Sequence, residues 1–488
     1  MSLAPMLLAI PAAAAALCAA FPKRAPILSA LASIVTFAVA AAVAFDAFAS
    51  SARRTAGGLL YVDALSGLVV LIVGTVALIA SLYSLQYVAN AVRSGEVPVR
   101  DVRWFYVWLQ LSIGAMVAVP LMNNLGLLWV ATETTTLFTA LLVAFVRRGH
   151  ALEAAWKYLM LGAVGLGFAL FGVLLTFYAA TRQLGDAAAL DWDQLSAHAG
   201  ALDPDLMRIA FVLVLVGFGT KAGLAPMHTW LPDAHGQAPT PVSVLLSGAL
   251  LNCALYGILR FHLLSVGALG PEFSSDLLVG FGALSVLVAV PFVTVQHDLK
   301  RLLAYSSVEH IGIVALAVGI GGPLALFAGA FHMFNHAIAK SALFVCAGAL
   351  GQRYGTWRLA RMRGALEAAP LATLGLLIGS IAVAGAPPFS PFASEFGILR
   401  AGFAGRPVAN LGAVALVAGT VLIFGGMLFH TLNVALRPGP ARAPKSSLRG
   451  GAFFVGAPLV LLLVFGVWLP PALRDGFTAT AGVLGVAP

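Results

Sequence analysis

Charge is what this sequence has least of. Asp, Glu, Lys and Arg together make 10% of its 488 residues, against roughly 25% in a soluble protein. That is too little to cover the water-exposed surface of so long a chain, which excludes soluble enzymes and disordered scaffolds. Cysteine is nearly missing. Cys18, Cys253 and Cys346 each stand alone in an apolar stretch, with no Cys-x-x-Cys and no Cys/His pair at metal-ligand spacing. No disulfide framework, zinc site or iron–sulfur cluster is therefore expected on this chain. Neither a Gly-x-Gly-x-x-Gly strand–helix turn nor a Walker A loop occurs, so flavin, nicotinamide and ATP chemistry is expected elsewhere. The net charge of +9 comes from basic residues dispersed among short connections rather than gathered into a stripe. They read as topology signals, not as a nucleic-acid surface.

What the sequence has instead is apolar length: 60% hydrophobic residues and a mean hydropathy of +0.97. A helix needs about 20 apolar residues to cross the hydrocarbon, and it satisfies its own backbone there. The chain divides into about fourteen such spans, at 4–21, 26–49, 64–89, 104–121, 124–146, 155–180, 207–229, 240–264, 275–295, 301–320, 323–350, 366–400, 407–433 and 451–470. The expected fold is an all-α polytopic membrane protein embedded in a lipid bilayer. Met1 to Phe21 lacks a basic leader and runs at once into Lys23-Arg24 and a second apolar stretch, so it is expected to be a retained helix.

Even parity puts both termini on one side. Of the 28 Lys and Arg residues, 18 fall in or beside odd-numbered connections and 7 in or beside the even ones and the tail, while Lys221, Arg260 and Lys340 lie within spans. The bias predicts odd connections in the cytoplasm and both termini on the outer, periplasmic side of a bacterial inner membrane.

Two spans are interrupted in a related way, the seventh at Lys221-Ala-Gly-Leu-Ala-Pro226 and the twelfth at Val383-Ala-Gly-Ala-Pro387-Pro388. Each is the fourth helix of a five-helix group, and an odd number of crossings inverts the second group relative to the first. Interrupted helices at matching places of inverted halves point to a transport site near the midplane. The predicted organisation is three N-terminal helices (1–103), a first five-helix repeat (104–265), an inverted second repeat (266–433) and a final helix with a tail (434–488).

An ionisable group at the bilayer centre costs about 2.5 to 3.5 kcal/mol on translocon scales, so it persists mainly where it pairs or lines a wet path. Glu133, midway along the fifth span, and Lys221, beside the seventh-span break, are predicted to neutralise one another as a switchable proton site. His332, His336 and Lys340 are spaced by four on the eleventh span and share one helical face, a file suited to relaying protons. No cysteine or carboxylate accompanies them on that helix, so a metal site is not expected there. Glu395 follows the twelfth-span break and is a candidate exit. Glu309 and His310 on the tenth span are placed near cytoplasmic Lys300-Arg301, as feeders to the eleventh span or as interfacial groups. Asp298 beside Lys300 reads as a loop-anchoring ion pair.

These residues carry a family resemblance. Trp129-Val-Ala-Thr-Glu133, Gly219-Thr-Lys-Ala-Gly-Leu-Ala-Pro-Met-His-Thr-Trp-Leu-Pro-Asp-Ala-His235, Asp298-Leu-Lys-Arg-Leu-Leu-Ala-Tyr-Ser306, His332-Met-Phe-Asn-His-Ala-Ile-Ala-Lys340 and Pro387-Pro-Phe-Ser390 together resemble the antiporter-like subunits of complex I, of related membrane hydrogenases and of Mrp-type cation/proton antiporters. Ser307-Val-Glu-His310 and Ser247-Gly-Ala-Leu-Leu-Asn-Cys253 look most like the hydrogenase-4 component F branch. The resemblance implies a proton-translocating subunit with no redox centre of its own. Glu133 and Lys221 would be its fifth- and seventh-helix pair, His332, His336 and Lys340 its central relay, and Glu395 its terminal site, with His228 in the run from Lys221 to His235 as a supporting residue. One departure stands out: many members carry Lys or His on the eighth helix where this sequence has Asn252. An amide takes up no proton, so water would have to bridge from Lys221 towards His336. The chain ends soon after the fourteenth span, which matches the members without a long lateral arm.

By the same resemblance, the partners are other antiporter-like membrane subunits and soluble redox subunits. Nickel–iron and iron–sulfur centres, or flavin and quinone, are expected only in those partners, and the transported ion is the proton or, in an Mrp-like assembly, sodium against protons. A membrane subunit of an inorganic-carbon uptake complex and a non-pumping assembly subunit are the remaining alternatives.

Overall fold

The computed structural model describes residues 3–146, 149–438 and 450–485. Arg147, Arg148, Arg442, Lys445 and Arg449, counted above among the odd-side basic residues, lie outside the described residues. The N-terminal helices are α1 (Ala4–Ala20), α2 (Ala25–Ala49) and α3 (Ala64–Arg93), with a small antiparallel hairpin of β1 (Arg53–Thr55) and β2 (Leu60–Val62) before α3. Next come α4 (Val102–Ala118), α5 (Leu125–Val143), α6 (Gly149–Leu184), the short α7 (Trp192–Ala197), α8 (Pro204–Ala222), α9 (Trp230–Gln237), α10 (Thr240–Leu245) and α11 (Leu251–Leu269). The remainder is α12 (Glu272–Thr294), α13 (Leu299–Ile320), α14 (Gly322–Tyr354), α15 (Ala365–Ala368), α16 (Pro370–Val383), α17 (Ser390–Phe403), α18 (Pro407–Leu436), α19 (Ala457–Val467) and α20 (Pro471–Gly485). This is a multi-pass, all-α membrane architecture whose only sheet among the described residues is the hairpin.

Eleven of the described helices are long and apolar enough to cross a membrane, or twelve with the bent pair near the C-terminus. The count of fourteen adds α1 and joins α16 to α17, each too short alone. Polar residues at the helix starts explain where several spans begin. Asp63, Asn124, Asp203 and Asp298 each accept hydrogen bonds from backbone N–H groups in the first turn of α3, α5, α8 and α13. Those donors have no partner within their own helix.

The C-terminal expectation needs correction. Residues after the last span are not a simple tail: α19 and α20 meet at 74°, and α20 folds back onto α3 and α14. Pro470 and Pro471 lack the N–H groups that would continue α19, while Phe477 gives α20 an apolar anchor among Phe327, Phe331 and Phe334.

Enclosure is uneven, and that decides where charge can sit. The apolar stretch of α6 is 39% buried, with Trp156, Phe168 and Phe171 facing outward. The span made by α10 and α11 is fully buried, and α13 and α14 are each 94% buried. Glu309, His310, His332, His336 and Lys340 therefore lie on two helices that are almost wholly shielded from lipid.

Helices α6 and α8 cross at small residues. A Cβ on Gly217 would come within 2.6 Å of the Gly165 carbonyl oxygen, and one on Gly165 would meet Thr220 at the same distance. Gly217→Val should therefore push α8, and Lys221 with it, away from α6. Overpacking of this kind costs about 1–3 kcal/mol, and a lowered unfolding temperature of the purified protein in detergent would register it.

Candidate functional site

Lys221 lies one residue before the end of α8, beside a break opened by Gly223. That glycine has φ +80°, a left-handed conformation that glycine adopts without a Cβ penalty. The chain resumes as a turn at Met227–Thr229 and then α9. Asp233 on α9 holds this segment in place, pairing with Arg301 of α13 at 2.7 Å and with Lys157 of α6 at 3.5 Å. Trp230 adds an indole N–H bond of 2.6 Å to the Thr220 carbonyl, which ties the far side of the break back to α8.

The buried Lys221 ammonium donates to the hydroxyls of Thr136 at 2.7 Å and Tyr158 at 2.5 Å, and Tyr158 in turn contacts the Thr139 hydroxyl at 2.7 Å. The expected Glu133–Lys221 ion pair is not made. Glu133 acts on the lysine electrostatically across a gap, and its Oε2 has no hydrogen-bond partner among the described residues. The reason is depth along the helix: Thr136, one turn beyond Glu133 on α5, is the residue level with the lysine.

In the second half the polar groups converge from three helices. On α14, Lys340 donates to the Leu303 carbonyl at 3.1 Å and to the Ser306 hydroxyl of α13. Glu309 acts on that ammonium electrostatically, with its Oε2 unpartnered among the described residues. His310 Nδ1 lies 2.9 Å from His332 Nε2, and His332 Nδ1 lies 2.9 Å from the Ser394 hydroxyl of α17. The ring of His336 stacks on His310 with centroids 5.3 Å apart. Asn335 braces the end of this line, donating to the Ser390 carbonyl at 3.1 Å and accepting from the Ser390 hydroxyl at 2.9 Å.

Glu395 is folded into the break between α16 and α17. Gly385 there has φ +72°, and a Cβ on it would collide with the Glu395 carboxylate. Only glycine fits both the backbone and the acid. Lys221, Glu309, His310, His332, His336, Lys340 and Glu395 are none of them more than 5% exposed.

Several readings change with these contacts. Glu309 and His310 belong to the buried line and not to the interface, because nine helical residues carry them about 13 Å inward from Lys300. Asp298 does not anchor Lys300 by an ion pair. Its carboxylate caps α13 through the N–H groups of Lys300 and Arg301, while the Lys300 ammonium turns away to the Ala238 carbonyl at 2.5 Å. His228 is buried against Phe292 and Tyr305 and joins neither group by a hydrogen bond. The Asn252 amide donates to the Gly248 carbonyl at 2.8 Å, next to a π-helical turn at Leu246–Leu250 that joins α10 to α11. Among the described residues no side-chain hydrogen bond links Lys221 to His336, so a bridge by water still fits.

The structure also supplies partners that sequence reasoning passed over: Tyr158, Thr136, Ser306, Ser394 and Asn335. Hydroxyls and amides inside apolar runs look like ordinary packing residues, and only the neighbouring helix reveals their use. His310, His332 and Glu395 offer three ligand atoms within 4.8 Å of one another. The carboxylate missing from the eleventh span thus arrives from α17, and the trio has donors suited to a divalent cation.

A second ion pair is structural. Arg260 of α11 makes a two-pronged contact with Asp63 at 2.7 and 2.8 Å, adds Ser66 at 3.0 Å, and lies over the rings of Trp192 and Tyr256 at 4.5 and 4.7 Å. It ties the start of α3 to α11 and α7.

With this geometry in hand, the comparisons are specific. Residues 122–432, which include every charged site residue above from Glu133 to Glu395, match the family described as NADH:quinone oxidoreductase/Mrp antiporter, TM. The hydrogenase-4 component F homolog of Methylacidiphilum infernorum is 38% identical over 422 residues, covering 86% of this chain and 88% of that protein. Among solved structures, a chain of the membrane-bound sulfane sulfur reductase, an archaeal respiratory membrane complex, superposes with a TM-score of 0.87 at 24% identity, covering 99% of this chain and 98% of the other. A chain of respiratory complex I from Thermus thermophilus gives 0.73 at 26% identity, covering 94% and 97%. The chain belongs to the NADH:quinone oxidoreductase/Mrp antiporter family of membrane subunits.

Proposed function

We propose that this chain is the proton-translocating, antiporter-like subunit of a hydrogenase-4-like or complex I-like membrane oxidoreductase. Its partners would be further membrane subunits and soluble subunits that hold the redox centres. The observation that carries this reading is the buried succession Lys340–Ser306, Glu309, His310–His332 and Ser394–Glu395, spread over α13, α14 and α17. Eight residues separate His332 from Lys340, about 12 Å of helix rise, so the succession is oblique to the membrane plane. Its Glu395 end is nearer the side of the even connections, assigned by the basic-residue bias to the outside. Uncharged histidines pass a proton by accepting on one ring nitrogen and releasing from the other. A neighbouring charge such as that of Glu309 sets how readily Lys340 gives its proton up. In the first half, the Glu133 charge and the Thr136 and Tyr158 hydroxyls would play these parts for Lys221. Placement in a bacterial inner membrane with both termini outside belongs to the same reading.

The test is Lys340→Met in the intact complex, in sealed vesicles with a fluorescent pH-gradient probe. Redox-driven, uncoupler-sensitive acidification should fall roughly ten-fold or more, with the subunit still assembled. Full acidification in the variant would end the proposal, and transport that needs sodium would turn it into cation exchange.

A further inference from the structure

Lys300 and His235 are buried ionisable side chains outside the line from Lys340 to Glu395. Burying an ammonium is costly unless it is paired. Among the described residues Lys300 makes no ion pair: its Nζ donates to the Ala238 carbonyl and sits 4.1 Å from the centroid of the Trp357 ring. It also lines a cavity of about 900 Å³, whose rim carries the exposed Arg93, Glu96, His150 and Arg358. These residues belong to the third, fifth and eleventh connections, on the side that the basic-residue bias assigns to the cytoplasm.

His235 is the next group inward. It ends three residues before Ala238, which holds Lys300, and neither of its ring nitrogens has a partner among the described residues. Its ring stacks on Phe344 at 5.1 Å, and Phe344 is one turn from Lys340 on α14. Both Lys300 and Lys340 act electrostatically on that ring. Lys340 donates to the carbonyl of Leu303, three residues or about 4.5 Å of helix rise from Lys300.

We propose that this cavity, Lys300 and His235 form the cytoplasmic loading route by which protons reach Lys340. The inference rests on the transport reading above and names its inlet. A neutral Lys300 amine takes a proton from hydronium in the cavity, leaving water. The ammonium passes a proton to the bare ring nitrogen of His235. The imidazolium releases the proton on its other nitrogen to a neutral Lys340 amine, and tautomer exchange resets the ring. Every step moves one proton, and bulk water replaces it.

The experiment uses the intact complex in vesicles of defined orientation. Lys300→Met, Lys300→Arg and His235→Gln should each slow redox-driven proton uptake roughly ten-fold or more. Arginine separates relay from scaffold, because it keeps the charge and length but does not release a proton. Wild-type uptake in Lys300→Arg would make Lys300 structural and overturn the proposal. A second arm avoids the buried core. Thr356→Cys in the cavity lining, treated with a membrane-impermeant charged thiol reagent, should lose uptake when the reagent is added on the cytoplasmic side and not from the other. The three native cysteines are buried and will not compete. No loss on cytoplasmic labelling would also overturn the route. Lys340→Met distinguishes the two failures. If it transports normally, the transport reading itself is wrong; if it is dead while Lys300→Arg and labelled Thr356→Cys are normal, only this inlet falls.

Discussion

Lys221→Met is expected to lower redox-driven proton transport by roughly ten-fold or more in the assembled complex, without preventing assembly. Methionine fills nearly the same space, so the bend at Gly223 and the seat against α6 survive. What is lost is the buried ammonium beside this break, which can hold and release a proton. The cost to folding is small for a specific reason. Tyr158 keeps its 2.7 Å contact with Thr139 when the ammonium goes, and Thr136 still reaches the Thr132 carbonyl at 3.5 Å. Orphaning a buried hydroxyl costs about 1–3 kcal/mol, and here both hydroxyls retain a partner. Removing a charge that has no ion pair among the described residues also relieves a desolvation penalty. Tyr158→Phe is the informative companion. It leaves Lys221 bonded to Thr136 and should slow transport less than Lys221→Met does. Equal, full transport in both variants, measured as uncoupler-sensitive acidification per electron delivered, would remove this half of the protein from the pathway.

The second large effect is on stability. Asp63→Ala should destabilise the protein by about 3–5 kcal/mol, the cost of leaving one partner of a buried ion pair alone. Arg260 would keep its aromatic neighbours Trp192 and Tyr256 but lose both carboxylate bonds, and α3 would lose the Ser66 N–H cap, which Asp63 accepts at 2.9 Å. Reduced accumulation in the membrane and a lower unfolding temperature of the purified complex would show it. Asp63→Leu combined with Arg260→Met should recover most of the loss, because two apolar groups leave no charge unpaired.

The pair also has a pH signature. Burial alone would raise the Asp63 carboxyl, but the Arg260 guanidinium and the hydrogen bonds from Arg260 and Ser66 hold it below the usual aspartate range. With the folded value below the unfolded one, the stabilisation is fully present above the ordinary aspartate pKa of about 3.9 and is lost as pH falls through the folded value. The stabilisation that Asp63 contributes should therefore stay constant between neutral pH and about 5, and a difference between the wild type and Asp63→Asn that persists unchanged into strong acid would contradict the assignment.

The amino-acid order determined more than composition alone. The scarcity of charge placed the chain in a bilayer, and glycine and proline fixed where the seventh and twelfth spans break. A four-residue spacing put His332, His336 and Lys340 on one face of α14, where each contacts α13. Lys221, Lys340 and Glu395 were legible because an ionisable residue in an apolar run has few reasons to be there.

Which group each of them meets was decided only by tertiary structure. Helical periodicity states the direction in which a side chain leaves its own axis, and nothing about the rotation or depth of the helix opposite. A shift of one turn on α5 gave Lys221 a threonine instead of the glutamate. Likewise, nine residues of rise on α13 decided between the two places open to Glu309 and His310, carrying them away from the interface and into contact range of α14. The Glu395 carboxylate found its place because a distant glycine, Gly385, lacks a side chain. Lys300 and His235 lay within recognised motifs yet gained their meaning from each other and from a cavity, lined by Lys300, that is assembled out of five separate stretches of chain. Such placements depend on packing between helices far apart in sequence, where the physics is that of complementary surfaces and not of local pattern.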